Sequence, residues 1–223
     1  MMNRATDKGV DTEKVLWFPN WSETARFQEA RKDDKLLAEL GVDRHKKLVL
    51  YSGTMGEKQG LEIILDAAAS LANRSDLQFL LVGEGGAKKG LMSRVRDEEL
   101  KNVHFAPLQP YERLPSLLAS ADCHLVIQKR GAADAVLPSK LTNILAVGGN
   151  AVITADSDTS LGELTHDWPG IACRVEPESA PALVEGINRA LTRPIPNRVA
   201  REYALEHLDK DAIIRKFLAN FVD

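Results

Sequence analysis

The chain has 223 residues, a net charge of -3, 44% apolar residues and 27% charged residues. At roughly 150 residues per domain this is one large domain or two small ones, long enough to bury a core without disulfides or metals. The charge balance leaves no basic footprint for nucleic acid. No apolar run approaches the ~18–20 residues that span a bilayer, and Met1–Val10 lacks the apolar stretch of a signal peptide. Two cysteines, Cys123 and Cys173, make neither a disulfide framework nor a zinc spacing. The expected class is a globular, cytoplasmic protein.

In chain order, Met1–Lys8 reads as the tail of a helix stopped at Gly9, so the chain is expected to be cut from something longer, and a first strand is predicted at Lys14–Asn20. Glu23–Lys35 reads as irregular and partly helical. Further strands are predicted at Lys47–Gly53, Leu77–Gly83, Val103–Ala106, Cys123–Lys129, Ala151–Asp156 and Ile171–Pro177. Several are continuous apolar runs, the pattern of strands buried on both faces of a parallel sheet. Between them, Gly60–Asn73 carries Leu61, Ile64, Leu65, Ala68 and Leu71 at helical spacing, and Tyr111–Ala121 carries Leu114, Leu117 and Leu118 on one stripe. Ser139–Val147 ends at Gly148-Gly149, a helix stop. Ser179–Leu191, Asn197–Leu208 and Asp211–Phe221 form a helical tail, and Lys129–Leu137 is a loop. This alternation predicts an α/β fold with a doubly wound, Rossmann-like parallel sheet.

In such a sheet ligands bind beyond the carboxyl ends of the strands, where the strand order reverses. Four segments fall at strand ends. Gly53-Thr54-Met55-Gly56-Glu57-Lys58-Gln59-Gly60 is a glycine-punctuated turn that lets a ligand approach the backbone, with Lys58 as a cation for a phosphate; taken alone it reads as well as a plain turn. Gly83-Glu84-Gly85-Gly86 closes the next strand but fails the dinucleotide fingerprint, because Lys88 stands where the third glycine belongs. Leu108-Gln109-Pro110 would present backbone groups to a planar base, or is simply a loop. In Leu137-Pro138-Ser139-Lys140-Leu141-Thr142-Asn143, Ser139 is the expected helix N-cap. The first-turn amides and Lys140 would make an anion site there, with Asn143 on the same face as Ser139 and Lys140.

The five histidines show no ligand spacing; His104 and His124 read as core or edge residues of strands. Neither a Walker loop nor a GxSxG elbow occurs. Cys123 and Cys173 read as buried thiols, and Trp17, Trp21 and Trp168 as packing residues.

Taken together and in order, YSGTMGEKQGLE, FLLVGEG, NVHFAPLQPYERLPSLLASADCHLVIQ and VLPSKLTNILAVGGNAVITA resemble the C-terminal, donor-binding half of GT-B glycosyltransferases of family 4, similar to bacterial enzymes of capsule, colanic acid or O-antigen synthesis. The likeness spans nearly the whole chain. It implies 1–13 as a remnant of an interdomain helix, 14–196 as the donor-binding domain, and 197–223 as helices packing back towards an absent N-terminal domain. It implies a nucleotide sugar, UDP- or GDP-linked, as substrate, with no metal or other cofactor. Lys58 and Asp134 become the catalytic candidates, Asp134 standing in for an acid that relatives carry at the position of Ala135. Gly53, Thr54, Met55, Gly56, Gly83, Glu84, Leu108, Gln109 and the run Pro138, Ser139, Lys140, Leu141, Thr142 and Asn143 become donor contacts. Thr54 and Asn143 depart from the family's usual Arg and Glu.

The acceptor, a saccharide or a polyprenyl-linked sugar, would be held by the missing half. This chain alone would then bind donor but transfer little, and Ile213, Phe217 and Phe221 would be left exposed and favour self-association. Peripheral contact with the inner membrane would belong to the full-length protein. The competing readings are an NAD(P)-binding oxidoreductase with Glu84 as the ribose acid, a non-catalytic subunit serving a separate acceptor-binding chain, and, more distantly, an epimerase.

Overall fold

The computed structural model describes residues 8–11, 15–16, 18–131 and 137–221. Six parallel strands form one sheet: β1 (Lys47–Ser52), β2 (Leu77–Val82), β3 (Val103–Ala106), β4 (Cys123–Val126), β5 (Ala151–Thr154) and β6 (Ala172–Val175), in the order β3-β2-β1-β4-β5-β6. The chain steps from β1 outward to β3, returns to β4 beside β1, and steps outward the other way. The reversal therefore lies between β1 and β4, whose register pairs Leu50 with His124.

Apolar alternation within each strand fills both faces. Leu48, Leu50, Leu80, Val82 and Val126 join one core with the helices α1 (Thr24–Glu29), α2 (Asp34–Glu39), α5 (Leu114–Ala119), α6 (Ser139–Val147) and α9 (Arg198–His207). Val49, Tyr51, Phe79, Leu81 and Leu125 join the other with α3 (Glu62–Ser70), α4 (Lys88–Asp97) and α8 (Ala180–Leu191). All six residues of β2 are buried, as expected for a strand covered on both sides. Helices α7 (Ser160–Asp167) and α10 (Lys210–Leu218) complete the α-helices among the described residues. No helix among the described residues is long and apolar enough to cross a membrane.

Several sequence expectations are corrected. The strand at Lys14–Asn20 is not formed at the residues described there, Val15, Leu16 and Phe18–Asn20. That segment packs on the last helix instead: Phe18 stacks on Trp21 at 5.2 Å and on Phe217 at 4.4 Å between ring centroids. Just after it, Ser22 N–H donates to Leu208 O (2.8 Å) and Lys210 N–H donates to Ser22 O (3.1 Å), a single parallel bridge that satisfies this backbone away from the sheet. Glu23–Lys35 contains the short helix α1 and leads into α2, whose amides are capped by Asp33. Helices α4 and α7 were not expected. In α4 only Leu91 is buried, so its apolar stripe is too thin to read, and Arg94 ties it to Asp66 of α3 and to Glu98. The expected helix over Met1–Lys8 lies outside the described residues except for Lys8.

Candidate functional site

A cleft of about 460 Å³ opens at the β1–β4 reversal, between α5 and α6. Sequence forces the backbone tightly together at its rim. Beyond β1 and β2 the chain keeps pairing through Gly53 N–H to Val82 O (2.9 Å) and Met55 N–H to Glu84 O (2.8 Å). Gly83, at φ +151°, lies so close that a Cβ there would fall 1.9 Å from Gly53 O. Only glycine fits a positive φ at that separation.

The N-terminus of α6 points at this rim. Pro138, not Ser139, is its N-cap residue, and no side chain caps it, because Ser139 already has helical geometry. Pro138 O accepts from Leu141 N–H (2.9 Å) and Thr142 N–H (3.3 Å). Of the four amides expected to face a ligand, those of Leu141 and Thr142 are therefore spent, whereas those of Ser139 and Lys140 have no backbone acceptor among the described residues. Lys140 Nζ donates to Tyr51 Oη (3.1 Å) and sits 4.5 Å from the centre of that ring. Tyr51 Oη in turn donates to Thr54 O (2.6 Å). A Cβ on Gly53 would fall 2.8 Å from Lys140 Nζ, so the missing side chain is what admits the ammonium. Burial among apolar groups drops the Lys140 pKa to about 8 and raises that of Tyr51 to about 12.

Seven of the predicted residues line the cleft: Gly53, Thr54, Leu108, Gln109, Ser139, Lys140 and Asn143. The others do not. Met55 is fully buried, and its backbone is spent on Glu84 and Ala87. Lys58 is an exposed residue of the single turn Glu57–Gln59, next to Gly56. The Glu84 carboxylate is paired with Lys88 Nζ at 2.7 Å, and Lys88 also donates to Gly83 O (3.0 Å). Leu141 and Thr142 are buried, the Thr142 hydroxyl bonding Ser139 O and Trp21 O. Asp134 and Ala135 lie outside the described residues. None of the described lining residues is a carboxylate, and no group of His, Cys, Asp or Glu among the described residues could hold a metal ion.

Some contributors were not foreseen. Asn20 Nδ2 donates to Leu137 O (2.7 Å) and Ser22 Oγ donates to Asn143 Oδ1 (2.8 Å), bracing the start of α6 from more than a hundred residues away. Tyr111, Leu114, Leu118, Ile144 and His124 also face the cleft. The leucines and Ile144 carried a helical apolar signal, but only the fold shows which of them border a cavity.

The family model for glycosyl transferases group 1 matches residues 32–207 of this chain. The chain belongs to the group 1 glycosyltransferases. It is 56% identical over 220 residues to the colanic acid biosynthesis glycosyl transferase WcaI of Escherichia coli (strain K12), a match covering 98% of this chain and 54% of that protein. The chain thus spans about half the length of that relative. A shorter match, 31% over 93 residues, reaches the alpha-D-kanosaminyltransferase of Streptomyces kanamyceticus and covers 41% of this chain and 24% of that enzyme. In three dimensions it superposes on the Anabaena protein HepE, solved in complex with UDP-glucose, with a TM-score of 0.79 over 99% of this chain and 60% of that one. At 17% identity that likeness shows the GT-B fold. The oxidoreductase reading falls with the family match.

At the rim, the amides of a helix start and one partly desolvated ammonium lie together, where their charge is poorly screened and would attract an anion.

Proposed function

We propose that this glycosyltransferase domain binds the diphosphate of a nucleotide sugar, UDP- or GDP-linked, at the start of α6. The observation that carries the reading is the Lys140 ammonium, held against Gly53 and Tyr51 beside the amides of Ser139 and Lys140. The complex of HepE with UDP-glucose and the colanic acid role in the name of WcaI support it.

In the reaction the bond between the anomeric carbon and the diphosphate oxygen breaks. The acceptor hydroxyl oxygen forms the new bond on the same face of the sugar, and its proton passes to the departing phosphate. Fixed amides and Lys140 favour that step because the negative charge grows where they already point, and no metal is assigned a part. Asn143 would hold the ribose, Leu108 and Gln109 the base, and Lys58 and Asp134 the sugar phosphate and sugar.

The acceptor, a saccharide or a polyprenyl-linked sugar of surface-polysaccharide synthesis, would be bound outside these 223 residues, with any peripheral membrane contact. The 223 residues alone would then bind donor and transfer little. Phe221 and Leu218, 64% and 53% exposed, would favour self-association of the isolated chain.

Calorimetric titration with UDP, GDP and NAD tests the reading. One nucleoside diphosphate should bind, and Lys140→Ala should weaken it by about 1.5–3 kcal/mol, the worth of a charged hydrogen bond. Binding of NAD that is indifferent to Lys140 would overturn it.

A further inference from the structure

A parallel sheet with both faces filled keeps its two helical layers apart. At Gly53 they meet. Tyr51 belongs to the core shared with α3, α4 and α8, whereas α6 packs on the other face. Lys140, the second residue of α6, crosses the end of β1 over Gly53, where a side chain would block it, and reaches Tyr51.

Tyr51 is fully buried, and a phenylalanine would fill the same space in this core, so its hydroxyl calls for a reason. Its one proton is committed to Thr54 O (2.6 Å), since a carbonyl can only accept. The oxygen therefore turns lone pairs towards Lys140, and an ammonium, which only donates, is the partner that fits them. The chain Lys140 N–H to Tyr51 O–H to Thr54 O runs in one direction, each bond polarising the next in a buried setting. Among the described residues this is the one hydrogen bond of the ammonium, so two of its three N–H bonds remain for a ligand. The other titratable side chains described at the cleft are Tyr111, whose hydroxyl donates to Glu23 Oε2 (3.1 Å), and His124, which burial keeps neutral near pH 7. Neither offers Lys140 a counter-charge. A free lysine gives up rotamer freedom when it meets an anion; this one is already set.

We propose that Tyr51 is a positioning residue: its hydroxyl and ring hold the Lys140 ammonium over Gly53 with two N–H bonds left for the anion, and through Thr54 O the same hydroxyl ties the glycine turn to the start of α6. The inference rests on the donor-site reading above and goes beyond it by assigning the group that fixes the cation before the donor arrives.

Tyr51→Phe, which keeps the ring, tests it by two readouts: the ¹³Cε titration of Lys140 without ligand, and calorimetry of UDP, GDP and inorganic pyrophosphate across pH. Loss of the acceptor should move the Lys140 midpoint below its wild-type value of about 8. Affinity for pyrophosphate and for the preferred nucleotide should fall about tenfold near neutral pH, and their alkaline loss should begin at lower pH. Tyr51→Phe combined with Lys140→Ala should bind no worse than Lys140→Ala alone, because Tyr51 acts through the lysine. A folded Tyr51→Phe with an unmoved Lys140 midpoint, or a loss that adds to that of Lys140→Ala, overturns the assignment. If Lys140→Ala binds all three like the wild type, the donor-site reading itself fails. Should Tyr51→Phe not fold, the wild type decides: the Tyr51 ¹³Cζ resonance should shift with the Lys140 midpoint and again on adding pyrophosphate, and a resonance indifferent to both overturns the assignment.

Discussion

Replacing Lys140 by methionine should make the protein more stable and its site empty of function. Burial lowers the lysine from its ordinary value near 10.5 to about 8. At about 1.4 kcal/mol per tenfold change in proton affinity, keeping Lys140 charged at neutral pH opposes folding by about 3 kcal/mol. Methionine keeps the stem's packing but forfeits the ammonium's contact with the Tyr51 ring and hydroxyl, worth about 1 kcal/mol. The net gain of about 2 kcal/mol corresponds to a rise in Tm of roughly 4–8 °C for a domain of this size. The gain must also depend on pH with a definite sign. Between the folded value of about 8 and the unfolded value near 10.5, the unfolded chain holds a proton that the folded chain has released, so the wild type gains stability as pH rises through that window. Thermal melts of both proteins should therefore differ most near pH 7 and converge towards about pH 10. With nucleotide at about a hundred times Kd the wild type should gain about 2.7 kcal/mol, and the variant far less. A variant less stable than the wild type near neutral pH, or a gap that does not shrink with pH, would refute the reasoning.

Gly83→Ala should cost more than about 3 kcal/mol, seen as insoluble protein or a large fall in Tm, because its Cβ collides with Gly53 O, while Gly86→Ala, with open space around it, should stay within about 0.5 kcal/mol. Cys123 and Cys173 are buried and their thiols are pushed up by burial, so a thiol reagent should label them only as the protein unfolds; rapid labelling of the native chain would contradict this. Asp209 accepts from Thr24 Oγ1 and caps α10 through Ala212 N–H, so Asp209→Ala should lose about 1–2 kcal/mol by urea unfolding. The Thr24 bond and that cap hold the Asp209 carboxyl below the usual carboxylate range, so its contribution should be intact above about pH 4 and fade as pH falls further, narrowing the gap to Asp209→Asn in acid.

The sheet was legible because its strands are read by one local signal. Runs such as Leu77–Val82 are apolar throughout, and a strand covered on both faces needs nothing else to announce it. The predicted first residues of β1 to β5 coincide with those observed. Lys14–Asn20 has the same local signal but finds its apolar partner in Phe217, 199 positions after Phe18, a choice that tertiary packing makes. At the site, the start of α6 was legible because a proline directly before an apolar helical run is a local signal, although Ser139 does not serve as its cap. Which of Lys58 and Lys140 borders the cleft was not, since that depends on how Gly53 sits against α6. His124 reads as an ordinary core residue within an apolar strand, and its place at the cleft follows only from the spacing of α5 and α6.

The bracing of α6 by Asn20 and Ser22 has a mechanical consequence. The stretch that holds the anion-binding end of the helix is the same stretch that Ser22 fastens to Leu208 and Lys210, so the entry to the domain and its last helix share one anchor. A rotation or pull applied through either end of the chain acts on a short lever whose load point is Asn143, one helical turn from Lys140. Anything attached there is geared to the pocket through two side-chain hydrogen bonds rather than through the body of the sheet.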